Sequence, residues 1–295
     1  MPDPLVLLSV HAHPDDEASK GAGTIARYHG EGIHTVLVTA TGGEEGEILN
    51  PALDTPEVRA DIAAIRRCEL DEAARVIGYD EVVLLGYRDS GMPDSPANTD
   101  PRSFASAPLD EAVGRLVAEI RRVRPQVVIT YPDEQSRYPH PDHLRVHDIS
   151  VIAFDKAADP DAFPGAGDPF QPLKLYYSIW QMEAVVARHE KFLELGLESP
   201  YQGWFDAEVL ESFKAIEPTA LIDVSDYYEA RRGGLLAHAT QIDPTSPFWF
   251  GLPEEIDRTI WTMDAFVLAR NLLGPITKED DLFAGVREQV SARGN

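Results

Sequence analysis

Leu5-Val6-Leu7-Leu8-Ser9-Val10-His11-Ala12-His13-Pro14-Asp15-Asp16-Glu17 opens the chain's ordered pattern. Its first half is a short apolar run with the texture of a buried strand. Its second half packs imidazoles and three carboxylates into a turn stiffened by Pro14. A Gly-bearing segment that reads as a helix, residues 19–30, follows. A polar turn between a first strand and a first helix lies at the carboxyl end of that strand, where open α/β sheets bind ligands.

The same rhythm continues outward. Residues 34–41 (H-T-V-L-V-T-A-T) form a β-branched second strand. Residues 56–77 carry a helical stripe of Ile62, Ile65, Leu70, Ala73, Ala74 and Ile77, closed by Gly78. Strands are expected at 82–85 and 127–131, and helices at 109–123 and 144–158. The order strand, helix, strand, helix predicts a doubly wound, mostly parallel, Rossmann-like α/β sheet. Residues 1–158 form its metal-binding catalytic core. Residues 159–295 form a C-terminal substrate-pocket portion of the same domain, with strands at 173–179 and 220–224 and helices at 182–195, 226–240 and 254–272. Aromatics are dense there, from Tyr176 to Phe250. Most are read as core and a few as pocket wall.

Composition narrows the partners. The net charge of −24 repels nucleic acid and anionic membrane surfaces. A small molecule is the expected partner, with a homo-oligomer as a further possibility. One cysteine, Cys68, excludes an internal disulfide framework and fits a reducing, cytoplasmic setting. The apolar run near the start is too short for a signal peptide core or a membrane span.

The chemistry sits in two clusters. Imidazole with carboxylate suits a divalent metal, zinc first, with three protein ligands and a position left for water. The first turn can supply His13 and Asp16. Adjacent carboxylates such as Asp15 and Asp16 rarely point the same way, which frees the second to take a proton from the activated water. The plain alternative is an acidic turn that caps a helix. A second cluster after a strand, Tyr138-Pro139-His140-Pro141-Asp142-His143, weighs against it and offers His143 as third ligand. His147 is read as a helix-face residue and His11 as a structural hydrogen-bonding one. Asp142 beside His140 would raise its pKa and fix its tautomer. Tyr138 offers a hydroxyl to an oxyanion. Glu44, Glu45 and Glu47 lie on a neighbouring loop; Arg66 and Asp89 are each a surface residue or a substrate anchor; His238 is ambiguous. No G-x-G-x-x-G follows strand one, and there is no P-loop and no G-x-S-x-G, so nucleotide and serine-hydrolase readings lack their motifs.

A-H-P-D-D-E (12–17) paired with H-P-D-H (140–143) resembles the LmbE-like (PIG-L) superfamily of zinc-dependent N-deacetylases and amidases. T-G-G-E-E-G-E-I-L-N-P (41–51), R-D-S-G (88–91), K-L-Y-Y (174–177) and H-A-T-Q-I-D-P (238–244) are similar to the branch that cleaves mycothiol S-conjugates. That branch carries a lysine where the deacetylase branch carries a serine, and Lys20 stands there. The resemblance implies that His13, Asp16 and His143 bind Zn2+, with Fe2+ the alternative, and that Asp15 is the general base. It further implies that Tyr138 and His140 assist the oxyanion and leaving group, with Asp142 tuning His140. Lys20, Glu47, Arg66, Asp89 and His238 are expected to face substrate. The chain departs from the family at 133–137, where an Asn-Gly-Gly-like loop is usual.

Overall fold

The computed structural model describes residues 4–133, 138–205, 216–275 and 278–293. Residues 134–137, most of the segment that departs from the family pattern, lie outside the described residues.

One seven-stranded sheet organises the chain. Its strands are β1 (Val6–His11), β2 (His34–Thr41), β3 (Glu81–Tyr87), β4 (Val127–Thr130), β5 (Lys174–Ile179), β6 (Ala220–Asp223) and β7 (Met263–Asn271). Their order is β3-β2-β1-β4-β5-β7-β6. The first five are mutually parallel, while β7 runs antiparallel between β5 and β6. The doubly wound, mostly parallel α/β reading therefore holds, and strands of both sequence portions share one sheet.

β1 is buried along its whole length because the sheet is covered on both faces. Side chains alternate. Val6, Leu8 and Val10 enter one layer with Val113, Leu116 and Ile120 of α5 (Leu109–Val123) and Val146 and Ile149 of α6 (Pro141–Lys156). Leu7 enters the other with Ile25 of α2 (Ala22–Gly30), Leu70 and Ile77 of α4 (Ile62–Ile77) and Leu235 of α8 (Tyr228–Ala237). Truncating a fully buried leucine in either layer, such as Leu116→Ala, costs about 2–5 kcal/mol.

Three expectations are corrected. The helix expected at 254–272 is α10 (Glu254–Ile260) followed by β7. Ala, Leu and Arg favour helix in isolation, but pairing on both sides of β7 outweighs that propensity. The helix expected at 56–77 is two, α3 (Pro56–Ala60) and α4, broken at Asp61, whose φ of −125° is not helical. The helix expected at 19–30 is α2, and the stretch read as a polar turn holds a further short helix, α1 (Asp16–Ser19), set off from α2 by Gly21 at φ 98°. That break lets the turn after β1 fold back as its own short element.

Candidate active site

The carboxyl ends of β1 and β4 are neighbours in the sheet, so the turn after each reaches the same place. His13 and Asp16 come from the first turn, and His143 from the first turn of α6. One ligand atom from each lies within 4.8 Å of the others. His143 Nε2 is 3.3 Å from Asp16 Oδ2, and His13 Nδ1 is 3.5 Å from the same oxygen. His143 Nε2 is a buried nitrogen with no hydrogen-bond partner. An orphaned imidazole nitrogen aimed at a carboxylate, with a second imidazole beside it, fits the donor set of a catalytic divalent metal.

The surrounding residues fix those three side chains. Lys20 Nζ lies 2.5 Å from Asp16 Oδ1, which leaves Oδ2 toward the histidines. His13 Nε2 lies 3.2 Å from Asp142 Oδ2. Ser90 clasps Asp142 in turn: its N–H donates to Oδ2 at 3.0 Å and its hydroxyl donates to Oδ1. A carboxylate on the far nitrogen of a ligating histidine fixes its tautomer and orientation. Asp142 thus contacts His13 rather than the expected His140. His140 caps α6, with its Nδ1 accepting the Asp142 N–H at 3.2 Å. Its proton therefore resides on Nε2 when the ring is neutral. Burial, joined by the nearby His13, lowers the His140 pKa by more than Asp142 raises it. Burial takes His143 down to about 4, which keeps it a lone-pair donor. Burial opposes charge on His13 as well, but Asp142, Asp16 and Asp89 outweigh it and raise its pKa.

A second His/carboxylate group, His13, Asp89, His140 and Asp142, is equally compact. Its carboxylates are already engaged: Asp142 by Ser90, and Asp89 by the N–H groups of Gly91 and Glu45. The group of His13, Asp16 and His143 is set apart by His143 Nε2, a buried nitrogen with no hydrogen-bond partner.

Asp15 sits in the left-handed region at φ 102°, ψ −26°, which a non-glycine residue adopts only when its surroundings hold it. Glu17 Oε2 accepts the Asp15 N–H at 3.0 Å, and His238 Nε2 lies 2.5 Å from Glu17 Oε1. Arg66 Nη2 reaches Asp15 Oδ2 at 3.1 Å and donates to Pro14 O at 2.6 Å, while Nη1 donates to Gly43 O. Gly43 is at φ 68°, and a Cβ there would collide with the Arg66 guanidinium, so that loop closes over it only as glycine. Burial raises the Asp15 pKa, and Arg66 offsets only part of that.

Three expected substrate contacts are corrected by this packing. Arg66 is buried with Nη1 and Nη2 bonded to the protein, Asp89 is buried with both carboxylate oxygens accepting backbone N–H groups, and His238 is fully buried against Glu17. Glu47 is exposed on a separate polar cavity of about 460 Å³, shared with Glu44, Glu45 and Arg59. Lys20 and the half-exposed Tyr138 line a larger cavity of about 1280 Å³ together with Asp15, Asp16 and His143. The Tyr138 ring stacks over His140 at 5.8 Å. His11 and His147 bind Tyr131, through its hydroxyl at 3.1 Å and its carbonyl at 2.9 Å, and serve structure as expected. Sequence reasoning gave no role to Glu17 or Ser90. Glu17 was visible in the first turn, whereas only the R-D-S-G string pointed toward Ser90.

A family model described as PIG-L, GlcNAc-PI de-N-acetylase, matches residues 8–154. The chain is 44% identical to mycothiol S-conjugate amidase of Streptomyces coelicolor, over 98% of this chain and 100% of that one. It is 40% identical to 1D-myo-inositol 2-acetamido-2-deoxy-alpha-D-glucopyranoside deacetylase of Geodermatophilus obscurus, over 95% of this chain and 97% of that one. Among solved structures, N,N'-diacetylchitobiose deacetylase from Pyrococcus horikoshii shares the fold at a TM-score of 0.62 and 19% identity, covering 93% of this chain and 87% of that one. Among the described residues no helix is long and apolar enough to cross a membrane. With both motifs in one site and relatives matched along nearly its whole length, the chain belongs to the PIG-L family.

Proposed function

We propose that this protein hydrolyses the amide bond of mycothiol S-conjugates, releasing an N-acetylcysteine S-conjugate and glucosaminyl-inositol. The observation that carries the reading is the meeting of Asp15, Asp16 and His143 on the wall of one large cavity. The relative at 44% identity supports the substrate class. Zinc, with ferrous iron as alternative, is the assigned metal at His13, Asp16 and His143; when bound it supplies Lewis acidity and a water acidified to a pKa of ~7.

The chain's own residues do the rest. Asp15, made more basic by burial, takes the proton of the attacking water as its oxygen bonds to the amide carbon. Tyr138 Oη and His140 Nε2–H donate toward the carbonyl oxygen as charge develops there. The C–N bond then breaks, and Asp15 returns its proton to the leaving nitrogen. Lys20 holds Asp16, and Asp142 with Ser90 holds His13, so both ligands meet the metal pre-oriented. Glu47 and its neighbours offer acceptors for sugar hydroxyls.

The second reading is a deacetylase acting on the N-acetylglucosaminyl-inositol, the named activity of several relatives near 40% identity. Turnover of both substrates by one zinc-loaded preparation separates the two. The amidase reading expects kcat/KM at least about tenfold higher on an S-conjugate, a difference of about 1.4 kcal/mol in transition-state binding. The reverse preference would establish the deacetylase.

A further inference from the structure

All four tryptophans of the chain line the cavity that begins at the metal triad. Trp180 is their centre. Its ring lies 5.7 Å from that of Trp204, 5.7 Å from Trp261, 6.3 Å from Trp249 and 6.2 Å from Phe248. Of these, only Trp261 is fully buried; the others are half-buried around open space. Met182, Val186, Ala187 and Glu190 of α7 (Met182–Glu194) extend the wall from one helix face.

The wall is braced from behind. Buried Arg188 donates to the carbonyls of Phe248 and Trp249, both at 3.2 Å, and pairs with Asp257 at 2.5 Å. Tyr201 Oη donates to Phe248 O at 2.5 Å. Arg231 sits 4.2 Å over the Trp261 ring. The rings of Trp180, Trp204 and Phe248 pack with one face on a buried cluster of Val185, Phe192, Tyr201 and Leu252, and with another they line a cavity that reaches Asp15, Asp16 and His143. Preformed aromatic concavity of this kind suits an apolar, π-rich ligand group.

We propose that this aromatic annex binds the substituent on sulfur of the conjugate, with aryl and bulky apolar groups preferred over short ones. The inference rests on the S-conjugate reading above and deepens it. The two halves of such a substrate differ in chemistry. Glucosaminyl-inositol is a polyol that tryptophan would bind poorly, and the acidic cavity at Glu44, Glu45 and Glu47 suits it. The acyl half carries the thioether and its substituent. An acetyl substrate places only a methyl group on that side and leaves the annex empty.

The test compares an S-benzyl conjugate with the N-acetylglucosaminyl-inositol in the zinc-loaded enzyme, using wild type, Ala187→Phe to narrow the annex and Phe248→Ala to remove a stacking face. In both variants kcat/KM on the benzyl conjugate should fall about tenfold or more relative to its fall on the acetyl substrate. Equal falls on both substrates, or none in either folded variant, would overturn the annex. A wild type that cleaves the acetyl substrate and no conjugate would instead overturn the S-conjugate reading. In that case binding of S-benzyl-N-acetylcysteine, followed by tryptophan emission, decides the annex separately. Quenching in wild type that weakens in Ala187→Phe supports it, and emission that does not respond in wild type refutes it.

Discussion

The two ends of the large cavity are built on opposite plans. At the metal end, polar side chains come from two contiguous motifs at adjacent strand ends, and the carboxylates of Asp16, Glu17 and Asp142 are each held by a second side chain. At the aromatic end, five large rings come from four separated places, Trp180, Trp204, Phe248 with Trp249, and Trp261, and touch each other edge-on or tilted. The first arrangement gives exact geometry to a few atoms, which bond making requires. The second gives a shaped, adaptable surface, which tolerates a variable substituent. Chemistry and selectivity are therefore carried by different elements, and substitutions should separate them.

The strongest break falls at the metal end. Asp15→Asn keeps the side chain's size and removes its basicity. Turnover should drop about 10²–10⁴-fold with bound zinc retained; zinc-replete enzyme with near wild-type turnover would remove Asp15 from its role. At the aromatic end, Arg188→Met removes the cation paired with the buried Asp257 carboxylate, leaving it the Tyr228 hydroxyl at 3.0 Å and the field of the nearby Arg231. Unfolding should become easier by about 3–5 kcal/mol in urea titrations. A smaller cost, under about 1 kcal/mol, would mean that the brace is dispensable.

Intermediate effects come from the groups behind the ligands. Ser90→Ala removes the hydroxyl on Asp142 Oδ1 and leaves the backbone N–H on Oδ2, so Asp142, and His13 with it, is held less firmly. Zinc affinity should weaken about 10–100-fold in competition with a chelator, with the folded state otherwise intact. Unchanged affinity would show that Asp142 orients His13 without help from the Ser90 hydroxyl.

The smallest expected effect is a pH signature. Burial opposes charge on both Glu17 and His238, but each outweighs it for the other, so Glu17 is lowered and His238 raised from ordinary values of 4.5 and 6.5. The raised histidine contributes fully below pH ~6.5 and loses its contribution as pH rises through its folded value. The lowered glutamate contributes fully above pH ~4.5 and loses its share as pH falls through its own. The stability difference between wild type and Glu17→Gln should therefore peak between about pH 4.5 and 6.5. A flat difference across that range and up to pH 9 would contradict the pairing.

The same contrast explains how much was legible in sequence. The metal end could be read because its ligands sit in six-residue strings placed just after strands, and parallel neighbours bring such strings together by topology alone. Partner choice within the string could not be read. Asp142 neighbours His140 in sequence, yet its carboxylate points to His13, because α6 starts between them and His140 is used as the helix cap. Arg66, Asp89 and His238 resemble surface anchors in one dimension, and only packing shows them to be buried. The aromatic end gave no periodic signal, since its rings come from a strand end, a 3-10 turn, a four-residue helix and a helix cap. β7 was hidden for a related reason: residues that favour helix locally are held as strand by neighbours on both sides.

Zinc titration of the metal-stripped enzyme, run in parallel on wild type, Asp15→Asn and His143→Ala, tests the central claim most directly. The account predicts about one tightly bound equivalent for wild type and for Asp15→Asn, and weak or substoichiometric binding for His143→Ala. Tight binding of a full equivalent by His143→Ala would contradict a metal shared between the two distant turns.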